Sequence, residues 1–318
     1  MSGAAKSPAR GGLHGAPPRP GLRTPALPGT RIAETAAGLT ARTARSTVAR
    51  ITRPLRPSSL DERDPDHLRD QLARMWIVAS VWFRAEVRGM GNIPATGPVI
   101  LLGNHSGGHM TPDTYVFTMA FATYFGTERR LHLLTDSHVF SLPGFGNLRR
   151  SGVVSAGAGH LREGLETGGV VYTYPGGSRE AHRASWHSSS LDLGDLDATI
   201  EIAAEFGVPI VPVVAIGGQE TALFLGSGES VARRLRLDRL GIDRVPLALA
   251  LPWGLSVGDM LGHLPLPAKI VIEVLPPIDV VRRLADGAGV TELGEHVRTR
   301  MQDTLDALKN ERSLPVIG

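Results

Sequence analysis

The strongest constraint on the fold is a series of short apolar runs, each too brief for a buried helix. They fall at 98–102 (PVILL), 131–134 (LHLL), 170–174 (VVYTY), 210–216 (IVPVVAI), 246–251 (PLALAL) and 270–275 (IVIEVL). Runs of this length, rich in branched side chains, read as strands. Helical spacing falls between several of them, at 161–167, 196–206 and 292–308. In the last, Leu293, Val297, Met301, Leu305 and Leu308 recur on one side. Strands alternating with helices predict an α/β fold: a single domain with a mixed, largely parallel sheet flanked by helices. No internal repeat is present.

Charge divides the chain. Residues 1–60 hold Lys6 and nine arginines against one acid, Glu34, so residues 61–318 are net acidic although the whole carries a formal +3. With few large apolar side chains the first 60 residues are expected to be a disordered basic tail, and 61–318 the folded domain. A tail of this kind is also compatible with attraction to anionic headgroups, about 1 kcal/mol per basic residue near the surface. An acid-poor, Arg-rich start equally describes an organelle presequence, whereas a secretory signal is not expected without an apolar core segment. No nucleic-acid partner is expected, because the basic region lacks interleaved aromatics. The chain has no cysteine, which excludes disulfides, a thiol nucleophile and thiolate zinc sites.

Two further segments bear on lipid contact. The run MWIVASVWF at 75–83 is far short of the ~20 residues that span a bilayer. Extended over 68–88 it becomes a candidate interfacial helix carrying Arg69, Arg74, Arg84 and Arg88, with Trp76 and Trp82 at headgroup level. A core-packing helix with both tryptophans buried is the equal alternative. Segment 114–127 is uncharged and contains Tyr115, Phe117, Phe121, Tyr124 and Phe125, the spacing of a buried helix that could wall an acyl-chain pocket.

The chemistry centres on G-N-H-S-G-G-H-M-T-P-D at 103–113, directly after the first strand. A carboxylate on one imidazole nitrogen would aim the other at a hydroxyl, which makes His105 the candidate general base and Asp113 its orienter. His109 with Asp113 is the rival pairing. A nucleophile elbow fails at Ser106, because Asn104 stands where glycine is needed, and at Ser178, because Glu180 does. His105, His109 and Asp113 have the i, i+4, i+8 spacing of a metal-binding helix face, but two glycines and a proline oppose a helix there, so no metal is expected.

Two more segments complete a pattern: G-F-G-N-L-R-R-S-G at 144–152 and Y-P-G-G-S-R-E at 174–180. In this order the three motifs resemble the glycerolipid (glycerophosphate-type) acyltransferase family over about residues 87–278. The family spaces its His and Asp by four residues, whereas seven lie between His105 and Asp113; Gly107, Gly108 and Pro112 are expected to fold the longer loop back. The resemblance makes Arg149 or Arg150 a phosphate contact, with Arg179 a further one. It makes Gly176 and Gly177 backbone donors to an anion, and it adds Asn104, Ser178 and Glu180 to the substrate contacts. Arg179 and Glu180 equally read as a structural pair bracing the turn. The usual P-E-G-T is replaced by P-G-G-x-x-E, which looks like the diacylglycerol-acyltransferase-related branch and leaves the acceptor open: lysophosphatidate, another lysophospholipid or diacylglycerol. The run G-V-P-I-V-P-V at 207–213 resembles the family's last motif and reads as a core strand; G-G-Q-E-T at 217–221 can approach the site. His182 and His187 receive no assignment.

The resemblance therefore implies a membrane-associated enzyme of phospholipid biosynthesis, peripheral on the cytoplasmic face. It would move a fatty acyl group from acyl-CoA or acyl-ACP, as co-substrate and with no cofactor, to a glycerolipid or lysophospholipid hydroxyl. Two alternatives use the same fold: an ester hydrolase with the same His/Asp loop, and an inactive lipid-binding protein.

Overall fold

The computed structural model describes residues 58–314 apart from 142–144, 235, 237–243 and 260–261, together with residues 3 and 316. The predicted tail lies outside the described residues up to 57. Ser58 and Leu60, at the expected end of the tail, are buried, and the Ser58 hydroxyl receives the Ser155 N–H at 2.8 Å.

Ten strands are present among the described residues: β1 (Glu86–Arg88), β2 (Val99–Gly103), β3 (Leu131–Thr135), β4 (Val153–Ser155), β5 (Val170–Thr173), β6 (Ile210–Ile216), β7 (Leu223–Gly226), β8 (Leu247–Ala250), β9 (Gly254–Val257) and β10 (Val271–Val274). Seven form one sheet in the order β1-β10-β6-β2-β5-β3-β4. From β6 to β4 every neighbour is parallel, while β10 runs antiparallel to β6 and β1 parallel to β10. The sheet is thus mixed and mostly parallel.

Helices cover both faces, and the strand periodicity of two decides which residue meets which. On one face Phe117 and Phe121 of α2 (Pro112–Phe125) pack in a core with Val99, Leu101 and Tyr172. The helix α1 (Pro65–Ile77) contributes Leu68 and Met75 to the same core. On the other face Ile100, Leu102 and Ile210 meet α3 (Ala158–Glu166), α5 (Asp197–Phe206), α7 (Val280–Ala285) and α8 (Val290–Glu311). All five apolar residues expected on one side of α8 are buried there. The short helices α4 (Gly177–Ala181) and α6 (Glu229–Arg234) lie at the ends of the fold's loops.

Two segments depart from expectation. The helix expected over 68–88 begins at Pro65, where Asp64 caps the His67 N–H at 3.0 Å, and after Ile77 it widens into a π turn that stops at Trp82. Arg84 then takes a left-handed conformation and 86–88 is strand β1. Trp76 is 54% and Trp82 40% exposed, so the buried alternative for these rings does not hold. The run 246–251 is not a strand of the main sheet: β7, β8 and β9 form a separate antiparallel sheet. Its alternation explains this, since Ala248 and Ala250 face inward onto Phe224 while Leu249 points out. No helix among the described residues is long and apolar enough to cross a membrane.

Candidate active site

The loop after β2 is held along its backbone. Glu180 Oε2 accepts the His105 N–H at 2.9 Å, and Arg183 Nη1 donates to the His105 carbonyl at 2.7 Å. Gln219 Oε1 accepts the Gly107 N–H at 3.1 Å, which brings the 217–221 loop into the site as the sequence allowed. Gly107 and Gly108 adopt φ of +81° and +61°, and a Cβ on Gly108 would collide with the Asp259 carboxylate. The longer loop is therefore folded back by its glycines.

The fold-back does not deliver the expected His/Asp pair. Asp113, at the start of α2, accepts the Ser106 hydroxyl at 2.9 Å and the Thr114 N–H at 2.8 Å. Nδ1 of His105 is buried with no hydrogen-bond partner, and the imidazole stacks on Tyr174 with ring centroids 4.5 Å apart. Burial, with the His182, His109 and Arg183 charges behind it, lowers the His105 pKa to about 3, so the ring is neutral at pH 7. Burial also raises Asp113 to about 6 and Glu180 to about 7.

His105 lines a cavity of about 210 Å³. Met75, Met110, Tyr115, Leu133, Val139 and Leu148 supply apolar wall, so α2 does border a pocket. His105, His109, Gly177, Ser178 and His182 line it as well, with Gln71, Thr135 and Asp136 among its other polar residues.

Other expected contacts are placed differently. Asn104 is fully buried and both ends of its amide are spent on the backbone of Ala215 in β6, at 2.9 and 2.7 Å; it locks two strands and has no face for a substrate. Arg149 pairs with Glu62 at 3.2 Å and lies over the Phe140 ring, while Arg150 pairs with Asp64 at 2.7 Å. Neither borders the cavity. Arg179 pairs with Asp192, not with Glu180, which is wholly buried beneath the His105 loop. Gly176 leaves no room for a Cβ against the Asp192 carbonyl and Glu180; Gly177, at φ +53°, has open space beside it. Arg183 and Gln219, which organise the loop, carry no local sequence signal because their partners lie 78 and 112 residues away.

A second cluster was also invisible from spacing. His109, His182 and Asp259 place one donor atom each within 4.8 Å of the others. The rival pairing of His109 with Asp113 gives way to Asp259, which accepts the His109 backbone N–H at 2.9 Å. Burial would raise the Asp259 pKa, but the nearby His182, His263 and His109 outweigh it and hold the carboxyl low.

Against this geometry stand the known proteins. Residues 84–216 match the Acyltransferase family. An uncharacterized protein of Mycobacterium tuberculosis is 29% identical over 70% of this chain and 61% of its own length. The Homo sapiens protein named "DGAT1/2-independent enzyme synthesizing storage lipids" is 31% identical over 46% of this chain and 45% of its own. The chain thus spans less than two thirds of the length of these curated relatives. The crystal structure of the 1-acyl-sn-glycerophosphate (LPA) acyltransferase PlsC from Thermotoga maritima superposes with a TM-score of 0.45 at 17% identity, covering 77% of this chain and 80% of that one. The segment that matches the Acyltransferase family contains both the His105 loop and the P-G-G-x-x-E turn.

Proposed function

We propose that the protein transfers a fatty acyl group from an acyl thioester, acyl-CoA or acyl-ACP, to a glycerolipid hydroxyl, with His105 as general base. The observation that carries this reading is the neutral imidazole of His105 in the lining of a largely apolar cavity. The base takes the alcohol proton as the oxygen attacks the thioester carbonyl, and returns it to the departing thiolate. Positioned proton transfer of this kind contributes typically 10²–10⁴-fold. Asp113 supports the loop through Ser106, and Glu180 through the His105 backbone. Gly177 lines the cavity, but its N–H is already donated to the Tyr174 carbonyl at 3.0 Å, so the expected role of backbone donor to an oxyanion is not assigned to it.

One observation favours an uncharged acceptor. Arg149, Arg150 and Arg179 are engaged with Glu62, Asp64 and Asp192, and no Arg or Lys lines the cavity among the described residues. Diacylglycerol fits such a site better than lysophosphatidate.

The enzyme works at a membrane surface, on the cytoplasmic face where thioester donors are supplied. Leu223, Leu249 and Leu255 sit side by side across β7, β8 and β9, each at least 45% exposed. Trp253 is 54% exposed, and Trp82, whose indole N–H bonds the Pro265 carbonyl at 2.9 Å, ties the end of α1's π turn to the chain beyond β9. Contiguous exposed apolar side chains of this kind mark interaction surfaces.

Labelled acyl-CoA with diacylglycerol or lysophosphatidate tests the chemistry. His105→Ala is expected to lose at least 10²-fold of transfer at unchanged Tm. Free fatty acid as sole product means a hydrolase, and lipid binding without turnover means an inactive binder; either outcome overturns the reading. For the surface, Leu255→Glu with Trp253→Glu is expected to abolish cosedimentation with phosphatidylcholine/phosphatidylglycerol vesicles while leaving the far-UV spectrum intact. Undiminished cosedimentation would exclude this face.

A further inference from the structure

His109, His182 and Asp259 take no part in the proposed transfer, yet they converge from three separate segments, and the two histidines line its cavity. His109 stands on the 3-10 turn Gly108–Met110, His182 directly follows α4, and Asp259 follows β9 with its backbone held at φ +48°. His182 Nε2 lies 3.3 Å from Asp259 Oδ2. His109 Nδ1, 3.6 Å from the same oxygen, lies 3.0 Å from the Asp259 backbone carbonyl, which takes its proton and leaves Nε2 as the lone-pair atom of that ring. A tetrahedral zinc ion with bonds of about 2.0–2.1 Å holds its ligand atoms roughly 3.3–3.4 Å apart. The His182–Asp259 separation is near that edge length and exceeds the ~2.7–2.9 Å of a charge-assisted hydrogen bond.

The surroundings point the same way. His182 Nδ1 lies 2.9 Å from the Ser178 carbonyl, so it carries the proton and leaves the Nε2 lone pair facing a carboxylate. A lone pair and an anion at 3.3 Å repel unless a proton or a cation lies between them. His263 Nδ1 approaches the other Asp259 oxygen at 3.1 Å, and His182, Asp259 and His263 are all 5% exposed or less. Metal-binding histidines usually donate their second ring N–H to a backbone carbonyl, and metal-binding carboxylates are themselves hydrogen-bonded. Because His109 and His182 also line the cavity, a fourth position would open onto it, as in zinc sites that bind an exchangeable ligand.

We propose that His109, His182 and Asp259 bind a divalent first-row transition-metal ion, with zinc best suited to the N,N,O donor set and His263 acting as a positioning residue outside the ion. The assignment concerns binding alone and is independent of the acyl acceptor. Full-length protein stripped with EDTA, incubated with excess Zn²⁺ and desalted should retain one zinc per chain by elemental analysis, and Zn²⁺ alone should raise its Tm. Asp259→Asn is expected to weaken zinc binding at least tenfold. His263→Gln should weaken it by a factor of 10–100 without abolishing it. The exposed His187→Gln should change nothing. If Asp259→Asn fails to fold, Co²⁺ added to wild type should still give the absorption bands of tetrahedral coordination. Wild type that retains no zinc and shows no Tm response overturns the site and leaves a shared proton between imidazole and carboxylate; equal zinc retention by folded Asp259→Asn overturns it as well.

Discussion

The loop after β2 and the cluster around Asp259 both set imidazole beside carboxylate, but in opposite ways. In the loop, Glu180 and Asp113 hold the His105 backbone and the Ser106 hydroxyl, and the ring of His105 is left neutral with an unclaimed nitrogen. Around Asp259 the carboxylate faces imidazole nitrogens directly, at 3.1 and 3.3 Å. One arrangement keeps a base available; the other consumes its histidines in holding an anion or a cation. A carboxylate near a histidine in sequence therefore says little about which atom it will hold.

The sharpest way to break this contrast is to remove the acid beneath the first loop. Glu180→Leu leaves the His105 N–H and the Arg183 guanidinium without their buried acceptor, and stripping one partner from such a buried pair costs about 3–5 kcal/mol. A large fall in Tm is expected, with transfer lost even at temperatures where the variant stays folded. A Tm within a degree of wild type would mean that Glu180 does not hold the loop. Gly108→Ala strikes both regions at once, because the new methyl meets Asp259 at a left-handed backbone position. Overpacking of this kind costs about 1–3 kcal/mol, and chemical denaturation should show it. Full stability and zinc retention in this variant would show that the two regions do not touch.

The smallest effect is a pH dependence. The His105 pKa is about 3 when folded against an ordinary 6.5, so the unfolded state binds the extra proton between those values. This depressed basicity subtracts stability as pH falls through that window and has no effect above it. The raised pKa values of Asp113 and Glu180 act with the opposite sign, lowering stability as pH rises from about 4 towards 7. His105→Asn should therefore gain on wild type at pH 4–5 and match it at pH 8, measured as the difference in Tm between the two proteins. Parallel Tm curves would mean that the ring is not desolvated as described.

Much of the frame was legible in the sequence. Short branched runs marked β2, β3, β5, β6 and β10, and the face of α8 followed from its 3.6-residue period. Strands β1 and β4, three residues each, are too short to carry a periodic signal. The run 246–251 was read as a strand correctly, but its leucine/alanine alternation looks inward or outward only once a partner sheet is known. In the site, the place of His105 at the end of β2 was readable because strand and loop are contiguous.

What the sequence determined alone were features set within a few residues: where the strands turn, which side of a helix is apolar, and that a histidine follows β2. Tertiary structure decided every long-range pairing, including Arg149 and Arg150 with acids on the approach to α1, Arg183 with the His105 carbonyl, and Asp259 with histidines 77 and 150 residues away. The reason is physical: local periodicity depends on backbone geometry within one turn or pleat, whereas contacts across the chain depend on strand order, which no short window contains.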